Sequence, residues 1–211
     1  MTGTEDDDSI TLLYDSSFAD GKGGNDTITS GYNTAAIYGG DGNDTITADG
    51  GNDTIDGGDG DDQIRISGYQ IRTLLRGGDG NDTIQYSHCG NNTVEGGAGN
   101  DLIKGDCDYN GGGVANSFNG GTGNDRIESN PCRAGNGSND TYLYARGDGQ
   151  DSINDYGGID QILFADGITA TDISIGRSGK HLLIKINDPN NSSASDSITI
   201  ENWNDGYSLI E

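Results

Sequence analysis

Aspartates recur at 8, 26, 44, 62, 82, 101 and 125, each the sixth residue of a glycine-rich nonapeptide. The pattern G-G-x-G-x-D-x-U-x, with U apolar, is unbroken in "GGDGNDTIT" at 39, "GGDGDDQIR" at 57, "GGDGNDTIQ" at 77, "GGAGNDLIK" at 96 and "GGTGNDRIE" at 120. "GTEDDDSIT" at 3 and "GKGGNDTIT" at 21 are looser copies. A carboxylate held beside glycine backbone suits a hard cation. Such an ion collects six to eight oxygens, carboxylate and carbonyl together. Calcium fits better than magnesium, which keeps its waters and demands stricter geometry.

The copies start at 3, 21, 39, 57, 77, 96 and 120. Spacings of 18, then 20, 19 and 24, make the unit a pair of half-turns, one strict and one degenerate. Each turn is therefore expected to hold two short strands and two loops, with the strict loops stacked along one edge. Glycine serves where the chain turns with positive φ or approaches a ligand closely. Ile10, Ile28, Ile46, Ile64, Ile84, Ile103 and Ile127 should stack inward as a ladder, faced by Ile37, Ile55, Leu74, Val94 and Phe118. Stacking also sets the aspartates in a column at roughly 4.8 Å per turn, a spacing at which carboxylates repel unless cations lie between them.

Composition sharpens this dependence. Leu, Ile, Val and Phe make up under a fifth of the 211 residues, and the net charge is −24. Few large apolar groups with high charge mark a chain that cannot fold on burial alone. The same charge repels nucleic acid and anionic membranes and attracts multivalent cations. There is no apolar run long enough to span a bilayer. "MTGTEDDDSI" has neither the basic nor the apolar stretch of a cleavable secretory signal.

These five copies in phase resemble the RTX (repeats-in-toxin) calcium-binding family. The resemblance implies an all-β, right-handed parallel β-roll of 18-residue turns. It also implies an ion between successive loops, held by carbonyls of the first four positions and by the sixth-position aspartate of both. That set comprises Gly39, Gly40, Asp41 and Gly42; Gly57, Gly58, Asp59 and Gly60; and Gly77, Gly78, Asp79 and Gly80. It continues through Gly96, Gly97, Ala98 and Gly99, then Gly120, Gly121, Thr122 and Gly123. Seven loops leave six gaps, and the whole chain is expected to take about six to eight Ca2+ ions. On the degenerate edge the sixth position reads Ala35, Asn92 and Asn116, with Asp53 alone keeping the pattern. Calcium is thus expected mainly on one side.

Residues 1–145 read as the repeat roll and 146–211 as its last turns with a C-terminal β cap. "NDTYLYARGDGQDSINDYGGIDQILF" resembles the flank that closes RTX blocks in secreted toxins such as the adenylate cyclase toxin. Asp151 extends the aspartate column, and Asp140 and Asp160 form a candidate pair on the other edge. "DISIGRSGKHLLIKI" reads as a hairpin, and Trp203 as a plug for the open end. The abrupt ending "GYSLIE" reads as a cut from a larger protein.

Catalytic patterns are missing: His88 and His181 stand far apart, without H-E-x-x-H or G-x-S-x-G. Cys107 and Cys132, on consecutive degenerate half-turns, are a candidate disulfide, with unpaired thiols the alternative. The Arg146-Gly147-Asp148 tripeptide follows from the repeat register, as do the N-x-T triplets. The family resemblance implies a non-catalytic calcium-binding module of a secreted bacterial toxin or adhesin, exported unfolded by type I machinery and folded by extracellular calcium. Two alternatives stay open. Tyr32, Tyr69, Tyr86 and Tyr109 lie by the degenerate edge, where they could stack on a carbohydrate or cell-surface ligand. An ice-binding roll would need threonine and asparagine ladders on its loops, yet the third loop position holds threonine only at Thr122.

Overall fold

The computed structural model describes residues 1–13, 17–70, 72–87, 91–106, 115–129, 138–189, 191 and 195–203; of Tyr69, Gln70, Ser87 and Asp106 only the backbone is described. Strands alternate between two sheets at every half-turn, so neighbours in a sheet are one full turn apart in sequence. The first sheet carries the D-x-I segments, from Ser9–Thr11 through Thr27–Ser30, Thr45–Gly51 and Gln63–Gln70 to Gln150–Asp155. The second carries the intervening segments, from Phe18–Gly23 through Thr54–Asp59 to Gln161–Phe164. All pairings between turns are parallel, which makes the chain an all-β parallel β-roll.

Register follows the apolar residues. Ile10, Ile28, Ile46, Ile64 and Ile84 pair in sequence, and Ile84, Ile103, Ile127 and Ile153 continue the same row. Opposite them stand Ala19, Ile37, Ile55, Leu75, Val94, Phe118 and Tyr142. Leu75, not Leu74, is the buried rung: Leu75 is shut from solvent while Leu74 pairs with Thr54 and Thr93 on the outer face. Register is set from the glycines, and Leu75 precedes Gly77 by two residues just as Ile55 precedes Gly57. Strand alternation does the rest, since a slip of one residue would turn every side chain over.

Turns lengthen from 18 to 26 residues without disturbing either ladder. The extra residues are taken up away from the aspartate column, where a register shift between Asp49 and Gly51 marks the first irregular turn. Toward the C-terminal end the thin interior gains bulk through aromatic rings. Tyr86 and Phe118 lie 5.8 Å apart and Phe118 stacks on Tyr142 at 5.3 Å. Tyr86 is fully buried and so unavailable to a carbohydrate; Tyr32 is exposed, while the side chains of Tyr69 and Tyr109 lie outside the described residues.

The roll ends in an antiparallel addition. Ser197–Ile200 runs parallel to Gln150–Asp155, then pairs antiparallel with His181–Ile186, which pairs with Ile173–Ser178. Ile184, Ile186, Ile198 and Ile200 are buried, and Trp203 packs half-buried against the same core. Such a lid is what the last turn of a stack requires, having no following turn to cover it. No helix of the described residues is long and apolar enough to cross a membrane.

Candidate metal centre

On the strict edge the sixth-position aspartates form the expected column, and each carboxylate is split between two tasks. Oδ1 accepts a hydrogen bond from the backbone N–H of the preceding turn's aspartate: Asp26 to Asp44, Asp44 to Asp62, Asp62 to Asp82, Asp82 to Asp101 and Asp101 to Asp125, all at 2.7 to 2.8 Å. Oδ2 of Asp26, Asp44, Asp62, Asp82, Asp101 and Asp125 is buried with no hydrogen-bond partner. Six buried carboxylate oxygens left bare would be strongly unfavourable. Their shared orientation calls for a cation.

Backbone oxygen completes the cradle. The bare oxygens of Asp26, Asp44, Asp62, Asp82 and Asp101 each lie beside the first glycine of their own loop and the carbonyl of the first glycine one turn on. A Cβ on Gly57 would sit 2.5 Å from the Gly77 carbonyl oxygen, 2.9 Å from Asp62 Cγ and closer still to Asp62 Oδ2. The same arrangement surrounds Gly21, Gly39, Gly77 and Gly96, and Gly3 lies likewise between Asp8 Oδ2 and the Gly21 carbonyl, giving six gaps among the described residues. Gly120 has Asp125 beside it without that next-turn carbonyl among its nearest atoms. Terminal Asp8 differs too, because its Oδ2 already accepts from Thr4 N and Thr4 Oγ1 at 2.6 and 2.9 Å.

The second loop glycines supply the tight approach between turns. Gly58 has φ +112°, and any side chain there would collide with the Gly40 carbonyl. Third-position residues point outward, while their carbonyls bind the neighbouring turn. Gly42 N donates to Asp59 O, Gly60 N to Asp79 O, Gly80 N to Ala98 O and Gly99 N to Thr122 O, at 2.6 to 2.7 Å. Asp41 occupies the corresponding place one turn earlier, paired with Asp59.

Burial drives the electrostatics. It pushes the Asp44, Asp82 and Asp125 carboxyls up to about 6, and those of Asp62 and Asp101 up to about 7. The backbone hydrogen bond to Oδ1 pulls each down, and neighbouring aspartates push several higher. A folded roll thus resists ionising its column unless positive charge enters it.

Asp151 continues the column, accepting from Asp125 N at 3.0 Å, and burial lifts it to about 8. The next place in register is taken by the buried Ile198, which ends the column with an apolar residue. The Arg146-Gly147-Asp148 tripeptide is built into this last loop. Arg146 binds Asn187 O, Gly167 O and Asp172, while buried Asp148 accepts from Ala145 N at 2.6 Å.

The other edge has its own column: Ala35, Asp53, Thr73, Asn92, Asn116, Asp140 and Asp160. Asp53 Oδ1 accepts from Ala35 N at 2.8 Å, and its buried Oδ2 has no hydrogen-bond partner. Its neighbours one turn either way, Ala35 and Thr73, offer no second carboxylate. Asp140 N donates to Asp160 Oδ1 at 2.8 Å, and Asp155, which the repeat register does not mark, joins them. Cys107, Cys132 and His88 lie outside the described residues, so the disulfide pairing is not addressed by the structure.

A further device is visible only in three dimensions. Fifth-position Asp7, Asn25, Asn43, Asp61, Asn81, Asn100 and Asn124 each accept from the backbone N–H of the following turn, at 2.7 to 2.9 Å. This ladder runs opposite to the aspartate ladder beside it. The sequence signal is the restriction of that position to Asn and Asp, the short side chains able to accept there.

Parallel turns, glycine cradles and bare inward carboxylates define a β-roll built to hold hard cations along an edge. Residues 36–65, 74–85, 90–106 and 110–131 match the RTX calcium-binding nonapeptide repeat in four copies, so this stretch of the chain is built of RTX repeats. RTX repeats bind calcium, and the donor set here fits that ion. No curated protein matches the chain.

Proposed function

We propose that this chain is a calcium-operated folding module, without catalytic function of its own, in a larger secreted bacterial protein. About six calcium ions occupy the gaps of the strict edge, each between sixth-position aspartates of successive turns and the intervening glycine carbonyls. The observation that carries this reading is the row of buried, unpartnered aspartate Oδ2 atoms facing next-turn glycine carbonyls.

In this reading the ions supply folding free energy rather than chemistry on a substrate. At a net charge of −24, the calcium-free chain is expanded and suited to passage through a type I export channel. Extracellular calcium then supplies roughly 12 to 16 positive charges for six to eight ions and closes the stack. Residues 1–145 form the repeat body and 146–211 its closing turns and cap, with Trp203 at the lid. Equilibrium dialysis against calcium tests the stoichiometry: binding of about six ions or more per chain is expected, and one or none would overturn the reading.

A further inference from the structure

The interior of the roll is not filled equally along its length. Two residues after the ladder isoleucines comes a second buried row: Leu12, Ser30, Ala48, Ile66 and Tyr86. Ser30 pairs with Ala48 and Ala48 with Ile66, so the row grows from a hydroxymethyl and a methyl group to a phenol ring. Where the row is small, beside the degenerate loops of the first turns, a cavity of about 300 Å³ opens. That is the small end of the range for ligand pockets.

Its walls are mixed in kind. Leu12 and Leu13 give apolar surface, and Tyr32 lines it with 71 % of its own surface exposed. Ser30 comes from the inward row. The residue is only 4 % exposed, and its Oγ is buried with no hydrogen-bond partner. A buried hydroxyl in that state has lost its water, and a ligand that bonds it recovers the loss. Asp49 adds a carboxylate at the place where the strand Thr45–Gly51 slips register against its neighbour, and one of its oxygens accepts from Ser67 Oγ. Irregularities of this kind re-aim side chains next to sites. No lysine or arginine lines the cavity among the described residues.

These walls select a ligand by exclusion. An anion would meet Asp49 and a chain of net charge −24 with no cation to receive it. A wholly apolar ligand would leave Ser30 Oγ unpaired. What suits both the apolar walls and the polar groups is a neutral ring with one C–H face and several hydroxyls. We propose that this cavity binds one neutral sugar ring, the terminal pyranose of a glycan. The phenol ring of Tyr32 packs on the C–H face of the sugar, while Ser30 Oγ and the Asp49 carboxylate bond its hydroxyls. The site goes beyond the calcium reading, because the aspartate column runs through the strict loops and this cavity lies by the degenerate ones.

The test titrates the whole chain in saturating calcium with the methyl glycosides of glucose, galactose, mannose and N-acetylglucosamine, and with that of sialic acid as the anionic comparator. Binding is read by saturation-transfer NMR and by chemical-shift titration. At least one neutral glycoside should bind saturably and sialic acid should not. Tyr32→Ala should weaken the binding roughly tenfold, and Ser30→Ala roughly three- to tenfold. Far-UV circular dichroism in calcium separates loss of the site from loss of the roll. Tyr32 is exposed, and alanine is the residue that the Ser30 row already holds at Ala48, so both variants should match the wild-type spectrum. Failure of every neutral glycoside to bind would overturn the proposal. So would equal binding of sialic acid, or wild-type affinity in either folded variant.

Discussion

Replacing Gly57 by alanine adds one methyl group at a place where the backbone itself raises no objection. Gly57 does not have a positive φ, so alanine is conformationally acceptable. Space is the whole issue. The new Cβ would lie 2.5 Å from the Gly77 carbonyl oxygen and nearer still to Asp62 Oδ2, where real carbons essentially never come within 3.0 Å of another heavy atom. These two oxygens are the ones assigned to the ion between the turns, and a calcium at 2.3 to 2.6 Å from each leaves no room for a methyl group. At calcium a hundred times the site's Kd, losing one ion removes about 2.7 kcal/mol, or roughly a hundredfold in the folding equilibrium. The loss falls mid-stack, where it also uncouples the turns on either side. Gly31→Ala is the control, because its Cβ would meet nothing within 4 Å. Calcium titrations followed by far-UV circular dichroism, with ion counting, should show Gly57→Ala one ion short and folding only at higher calcium. Gly31→Ala should overlay the wild type. Equal midpoints and equal ion counts for the two variants would refute the assignment of the cradle.

Acid should partly replace calcium. The unfolded chain's carboxyls ionise from about 3.8, while those of Asp44, Asp62, Asp82 and Asp101 hold their protons to about 6 or 7 in the roll. The folded state therefore binds more protons in that window, and calcium-free stability falls as pH rises through it. In chelator, strand content by circular dichroism should be greater at pH 5 than at pH 8, and an increase with pH would contradict this. Ile64→Ala removes a buried rung of the first ladder; denaturation in saturating calcium should show a loss of about 2 to 5 kcal/mol. Tyr142→Phe removes the hydroxyl that donates to Asp155. It should cost about 1 to 3 kcal/mol by the same assay, and an unchanged midpoint would show that the hydrogen bond carries no weight.

The repeat made the main features legible because its period is geometric. Glycines, aspartates and isoleucines at fixed places return to the same position each turn, so the ladders and the column follow from counting. Counting failed where turn length changed. Leu74 was the expected rung because the 20-residue turn hides which of two leucines lies inward, and only the distance to Gly77 selects Leu75. Tyr86 reads as an edge residue until its strand is seen to continue, whereupon alternation turns it into the core two residues after Ile84. Asp155 was invisible for another reason. It meets Asp140 and Asp160 across the two sheets, a relation set by the width of the roll and not by spacing along the chain. The fifth-position ladder was printed in the sequence as Asn and Asp, but its acceptor role depends on where the next turn's N–H points.

The central claim is that calcium holds the stack together. Far-UV circular dichroism of the whole chain at neutral pH, in millimolar calcium and again after chelation, tests it most directly. Strand signal is expected with calcium, with its loss to a disordered spectrum in chelator and its return when calcium is restored. A strand signal indifferent to chelator would contradict it.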